Sequence, residues 1–168
     1  KETIKKFYTK IGGDPDSTLP FYYSHKYLLE GNALINSMHY AHATIKDMNL
    51  DKEMNQRGGA SVIGASVADN IMTLVSTGNC LCYLSRRGNL SLVSRPDGQL
   101  YLGHDDYEAH FHCAPTSGLG LFEDLHLKVD EIRILKDDLF VFMTDGVYAR
   151  ISEKEIEYII EKNLASNK

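Results

Sequence analysis

The sequence predicts an α+β domain in which helices flank a block of strands. Three patterns carry that expectation. The first fifty residues space their apolar side chains at the helical period. Residues 60–93 switch to short apolar runs broken by turn residues. Leu139–Met143 is an apolar run with aromatics at alternate places, followed at once by the signals of a helix start. At 168 residues the chain is expected to form one domain, 1–168, with a core of its own.

Taken in order, Ile4, Phe7, Tyr8 and Ile11 predict a short amphipathic helix over residues 1–11, stopped by Gly12-Gly13-Asp14-Pro15-Asp16 and a loop through Pro20. Leu28, Leu34, Ile35, Met38, Ala41, His42 and Ile45 predict a long helix from about Ser24 to Met48. A break is expected near Gly31, since an interior glycine costs a helix roughly 1 kcal/mol relative to alanine. His39 and His42 lie three apart on that helix, within reach of one metal ion, but packed or solvated imidazoles are the favoured reading.

After an Asn55–Gly59 loop, strands are predicted at Ala60–Ala68, Ile71–Thr77, Cys80–Ser85 and Leu90–Val93. Asp69-Asn70 and Arg86–Asn89 supply turns, giving an antiparallel meander. Cys80 and Cys82 share a strand face. With Cys113, His110 and His112 they would suit a soft metal, but small buried hydrophobes are the favoured reading. Residues 95–118 are turn-rich and polar and are expected to be a long loop, functional or mobile.

Leu127–Ile134 predicts a further strand, and Lys136-Asp137-Asp138 turns the chain into Leu139–Thr144, expected to be buried on both faces. Asp145 leaves that strand, and Gly146 permits a sharp turn or the close approach of a ligand. Ser152–Glu155 is a capping box that starts a helix over 153–163, with Ile156, Ile159, Ile160 and Leu164 on one face. A lone acid at a strand exit suits Mg²⁺, Mn²⁺ or Ca²⁺, which prefer carboxylate oxygen; the plainer reading is an Asp-Gly turn.

Composition narrows the partners. A formal net charge of −5, with no basic cluster longer than a pair, argues against nucleic acid. No apolar run approaches the roughly 18 residues of a membrane span. Three cysteines, an odd count, give no disulfide framework and favour a cytoplasmic protein. The chain opens on Lys1 rather than Met, so a processed or excised piece is expected.

Three stretches in register resemble the metal-dependent serine/threonine protein phosphatases of the 2C class and their sporulation stage II E-like relatives. Gly58-Gly59-Ala60-Ser61 resembles the family's Gly-Thr-Thr lead into a strand. Ser76 to Leu90 resembles its Gly-Asp-Ser-Arg-x-Tyr-Leu strand and Arg-x-Gly hairpin. Gly118-Leu119-Gly120, Leu135–Asp138, Thr144-Asp145-Gly146-Val147-Tyr148 and Ile151–Ile156 resemble its closing strand pair, Ser/Thr-Asp-Gly metal motif and following helix. The likeness covers residues 24–162.

It implies an α-β-β-α sandwich of two antiparallel sheets flanked by helices, and hydrolysis of phosphomonoesters on phosphoproteins through a binuclear Mg²⁺ or Mn²⁺ centre. By the same resemblance Asp145 and Gly146 form part of the metal site. The family's first metal Asp, its phosphate-binding Arg and its Asp-Gly-x-Gly-Gly stretch fall before residue 1, and its terminal Asp-Asn falls after residue 168. Asn79 stands where the family has an acid, and Gln56 where some members carry one for an extra metal. Two readings follow: a phosphatase domain acting on a phosphoprotein, or a catalytically inactive pseudophosphatase serving as a regulatory or protein-binding module. Absent first and last strands would also leave sheet edges unpaired, so self-association is expected.

Overall fold

The computed structural model describes residues 1–12, 18–104 and 109–166, with side chains undescribed at 12, 100–104, 109–113 and 164–166. Its elements run α1 (Glu2–Gly12), α2 (Leu29–Asn49), a 3-10 turn (Met54–Gln56), β1 (Val62–Ala68), β2 (Ile71–Thr77), β3 (Cys80–Arg86), β4 (Asn89–Ser94), β5 (Gly98–His104), β6 (Ala109–Pro115), β7 (Lys128–Arg133), β8 (Leu139–Thr144), α3 (Asp145–Tyr148) and α4 (Glu153–Ser166). Two three-stranded antiparallel sheets stack face to face, one ordered β1-β2-β7 and the other β4-β3-β8.

Strand alternation sorts the side chains into three apolar layers. Val62, Val75 and Val129 face Leu34, Ile35, Met38 and Ala41 of α2. Between the sheets lie Met72, Leu74 and Cys82, with Ile63, Val93, Ile132 and Phe140 against them. On the far side Leu81, Val141 and Met143 receive Ile156 and Ile160 of α4. The order helix, sheet, sheet, helix is the expected α-β-β-α sandwich.

Several elements depart from expectation. The strands from β1 to β4 do not form one meander: β1-β2 is a hairpin in the first sheet and β3-β4 a hairpin in the second. Between them Gly78, at φ +76°, swings the chain from one sheet to the other. The segment expected as a long loop contains the antiparallel hairpin β5-β6, which the density of polar and turn residues had masked. β8 is an edge strand rather than a strand buried on both faces. Among the described residues it pairs with β3 alone, and Phe142 is 43% exposed. On α4, Ile159 is 48% exposed and does not share the buried face of Ile156.

The long helix begins at Leu29, not Ser24, because two buried asparagines hold the preceding segment. Asn32 Oδ1 accepts the Ser24 N–H at 2.8 Å, while its Nδ2 donates to the carbonyls of Ser24, Tyr27 and Leu28. Asn36 Oδ1 accepts from the N–H groups of Phe21 and Tyr22, and its Nδ2 donates to Tyr22 O. Each bond contributes about 1 kcal/mol net, and an unpaired buried amide would cost about 1–3 kcal/mol, so satisfied loop anchors win over an extra helical turn. Gly31 does not break α2. A Cβ there would stand 3.0 Å from Thr73 Cγ2, so the glycine lets the helix settle on β2.

One ion pair ties the sheets together. Arg86 of β3 donates from Nε and Nη2 to the two carboxylate oxygens of Asp138, at 2.8 and 2.7 Å, and Nη2 also donates to Arg133 O of β7. Asp138 further accepts the Leu135 N–H and so fixes the turn between β7 and β8. Hydrogen bonding from Arg86, chiefly, lowers the Asp138 carboxyl from 3.8 to about 2. A depressed carboxylate stabilises the fold above its unfolded value and loses that contribution as pH falls through its folded one. The acid limb of a stability-against-pH curve should therefore fall between about pH 4 and pH 2. In Arg86→Ala the protein should be less stable at neutral pH and that limb flatter, as followed by circular dichroism in urea.

Gly78 supplies a second test. A Cβ there would collide with Ser61 and stand 3.0 Å from Ser117 O, whereas one at Gly88, also at positive φ (+81°), meets nothing within 4 Å. Gly88→Ala should cost about 1 kcal/mol of left-handed strain. Gly78→Ala should cost about 3 kcal/mol or more, because steric overlap adds to that strain. Urea midpoints of the two variants compare them directly.

Candidate functional site

The register of the second sheet decides what surrounds Asp145. Cys80 opposes Thr144 at the end of the β3-β8 ladder. One step beyond that pair, Asn79 and Asp145 face each other. Asn79 is 4% exposed and its backbone N–H donates to Ser61 Oγ at 2.9 Å. Its Nδ2 donates to Asp145 Oδ2 at 3.5 Å, and Asp145 Oδ1 accepts the Gly146 N–H at 2.9 Å. Asp145 itself is exposed.

Asp145 and Gly146 open the short helix α3 instead of forming an Asp-Gly turn, with Ala149 N donating to Asp145 O at 3.0 Å. A Cβ at Gly146 would meet nothing within 4 Å, and its φ is not positive, so this backbone does not use the freedom glycine offers. The capping box downstream forms as expected. Ser152 N and Oγ both donate to Glu155 Oε2, and Glu155 N donates back to Ser152 Oγ.

The chemistry available at this point is limited. An amide that donates toward a carboxylate supplies a neutral partner, and turning its oxygen outward would add one uncharged ligand to one acid. Among the described residues no three or more of His, Cys, Asp and Glu are grouped to hold a metal ion. A binuclear centre therefore does not fit the side chains present, because one carboxylate does not offset stripping water from two dications.

Of the other candidates, His39, His42, Cys80 and Cys82 serve packing. His42 is 7% exposed, and its Nδ1 accepts the Gly120 N–H at 3.0 Å. Burial, and then His42, push the His39 imidazole below its usual pKa, and Phe21 stacks on its ring. Cys80 and Cys82 are buried free thiols. Burial pushes Cys82 up to about 11 and raises Cys80 too, with Asp145 adding to the shift at Cys80. They behave as the small hydrophobes expected. Cys113, His110 and His112 have side chains outside the described residues, and Gln56 lies exposed on the 3-10 turn. Ser61, which fixes Asn79, closes the Gly58-Gly59-Ala60-Ser61 run, and nothing local marks it as the anchor of a strand 18 residues away.

No protein-family model and no curated protein sequence matches the chain. Solved structures do. PppA, a key regulatory component of T6SS in Pseudomonas aeruginosa, superposes with a TM-score of 0.65 at 16% identity, over 93% of this chain and 64% of its own. The Mycobacterium tuberculosis serine/threonine phosphatase PstP/Ppp gives 0.61 at 16% identity, over 95% and 68%. The PstP catalytic domain in complex with two manganese ions gives 0.58 at 18% identity, over 95% and 67%. The fold is that of the type 2C serine/threonine phosphatases, as the three motif stretches implied. The chain spans about two thirds of the length of these structures. Among the described residues no helix is long and apolar enough to cross a membrane.

The Asn79-Asp145 pair can be tested directly. Asn79→Asp would set a second carboxylate beside the first. It should lower the melting temperature in EDTA and tighten Mn²⁺ binding by about tenfold or more, since charge count sets hard-cation affinity. A Mn²⁺ titration read by electron paramagnetic resonance of the free ion measures this, with Asp145→Asn as the reference that cancels the gain.

Proposed function

We propose that these residues form the greater part of a phosphoprotein phosphatase domain acting on phosphoserine or phosphothreonine with Mg²⁺ or Mn²⁺, in a reducing cytoplasm. The observation that carries it is Asp145: an acid delivered by the last strand of the second sheet, at the end of a sandwich whose neighbours include a phosphatase with two manganese ions. On this reading Asp145 is one ligand of the centre. The remaining acids come from the third of the neighbours' length that has no counterpart here.

A specific feature favours a second reading, a pseudophosphatase that binds protein without hydrolysis. Asn79 presents an amide N–H to the one acid, where a cation would want another carboxylate. PppA is itself described as a regulatory component, which suits a protein partner under either reading.

Phosphate release from a phosphothreonine peptide by the full-length protein separates them. The phosphatase reading expects release with Mn²⁺ or Mg²⁺, none with EDTA, and a loss in Asp145→Asn of more than about 100-fold. That exceeds the 10–100-fold typical of groups that only orient a metal ligand. Activity that survives EDTA and the substitution rejects the metal mechanism, and no activity at saturating Mn²⁺ selects the binding module.

A further inference from the structure

The end of α2 is stitched to two loops by one buried amide. Asn49 is 5% exposed. Its Oδ1 accepts the Gly58 N–H at 3.0 Å, and its Nδ2 donates to the carbonyls of Gly58 and Gly120 at 2.7 and 3.2 Å. The second loop is held again where Gly120 N donates to His42 Nδ1. Gly120, at φ +74°, lies so near Ile45 that a Cβ there would collide with it. A satisfied buried amide and a close backbone approach fix the two loops against the helix.

Helix and loops together wall a pocket of about 220 Å³. That is below the roughly 300–1,000 Å³ of sites for drug-sized molecules, so its occupant is small. Two cations line it, Lys46 on α2 and Arg57 beside Gly58, against one acid, Glu123. Arg57 uses only its Nε, which donates to Lys52 O at 3.1 Å; among the described residues its two Nη groups have no partner. Lys46 Nζ donates to Glu123 O at 3.3 Å and also to the Glu123 carboxylate. The Glu123 side chain is 87% exposed, and an exposed ion pair of this kind is easily exchanged. The C-terminal end of a helix disfavours an anion, but here the N–H groups of Leu50 and Lys52 already occupy the carbonyls of Asp47 and Asn49. Neither Asn79 nor Asp145 lines the pocket.

Charge decides what fits. A free monocarboxylate would only replace Glu123, which is tethered at the spot and keeps the advantage of a high effective concentration. A tetrahedral dianion offers more: two oxygens for the planar fork of Arg57 and a third for Lys46. We propose that this pocket binds a phosphate or phosphomonoester dianion between the Arg57 guanidinium and the Lys46 ammonium, displacing the Glu123 carboxylate that occupies Lys46 in its absence. The inference does not depend on hydrolysis at Asp145.

Nuclear magnetic resonance tests it, on the full-length protein in EDTA at pH 8, about two units above the second pKa of a phosphomonoester. Inorganic phosphate and N-acetyl-phosphoserine amide should each shift the Arg57 Nε–H and Gly120 amide signals saturably, and acetate at the same concentrations should not. Followed at Gly120, Arg57→Gln should weaken phosphate by about tenfold or more. Glu123→Gln should tighten it by about two- to fivefold, because the tethered competitor is gone. Both side chains are exposed, so the melting temperature should stay the same in either variant. Tighter binding of the phosphoserine compound makes a phosphomonoester the occupant, and equal or tighter binding of inorganic phosphate makes it the free ion; both support the site. No saturable shift, shifts confined to Asn79 and Gly146, an equal response to acetate, or an affinity that Glu123→Gln leaves unchanged or weakens would each overturn the proposal.

Discussion

The passage of the chain through Thr77-Gly78-Asn79 governs the rest of the structure. Had β2 continued into a hairpin with β3, the strands would have made one flat meander with an exposed apolar face. Gly78 instead adopts a positive φ that sends β3 into a second sheet, stacked over the first. The crossing is tied from several directions. Gly78 O accepts the Asp97 N–H at 2.8 Å, Asn79 N donates to Ser61 Oγ, and the Thr77 and Ser117 hydroxyls lie 2.6 Å apart. Ser76 and Ser94 share a hydrogen bond between the sheets at 3.0 Å. Ser76, Thr77, Asn79, Ser94 and Ser117 are buried, and the mutual satisfaction of these polar groups fixes one geometry for the switch.

That switch also explains where the remaining strands go. With β2 and β3 in separate sheets, each has a free side, and β7 and β8 add to them one apiece. The Arg86-Asp138 pair then closes the end where β7 turns into β8, because its guanidinium reaches Arg133 O in the opposite sheet. At the other end, the ladder between Cys80 and Thr144 leaves Asn79 facing Asp145. A residue at the start of the second sheet and one at its close thus meet without being near in sequence.

What the sequence made legible is what local chemistry decides. The type of every element from β1 to β4 follows from short apolar runs set between turn residues, and Asp69 and Asn70 adopt the positive φ values, 49° and 59°, that such a turn demands. The start of α4 follows from its capping box. What stayed hidden is non-local. Nothing in Leu139–Met143 says whether an apolar run is central or marginal, since Phe140 is packed between sheets while Phe142, two residues on and on the same face, is open. Asn32 and Asn36 look like ordinary polar positions on a helix until the 20–28 segment folds onto them. The β5-β6 pairing depends on a register between two polar stretches that no hydrophobic pattern marks. Asp145 was legible as a strand-exit acid, but its neighbour Asn79 was set apart only by comparison with the family's motif.

The acid and a cavity beside β1 are parts of one place in the fold. Asp145 directly follows Thr144, and Thr144 and Cys80 form the inner rim of that cavity. Asp145 Oδ1 accepts the Gly146 N–H and Oδ2 accepts from the Asn79 amide, so the partners on both of its oxygens are neutral donors and the Asn79-Asp145 pair carries a single charge. A hard cation responds to the number of carboxylates it meets. The register that brings Asn79 to Asp145 therefore limits what this strand exit offers a cation from its own two residues: an amide in place of a second acid holds the pair to one charge.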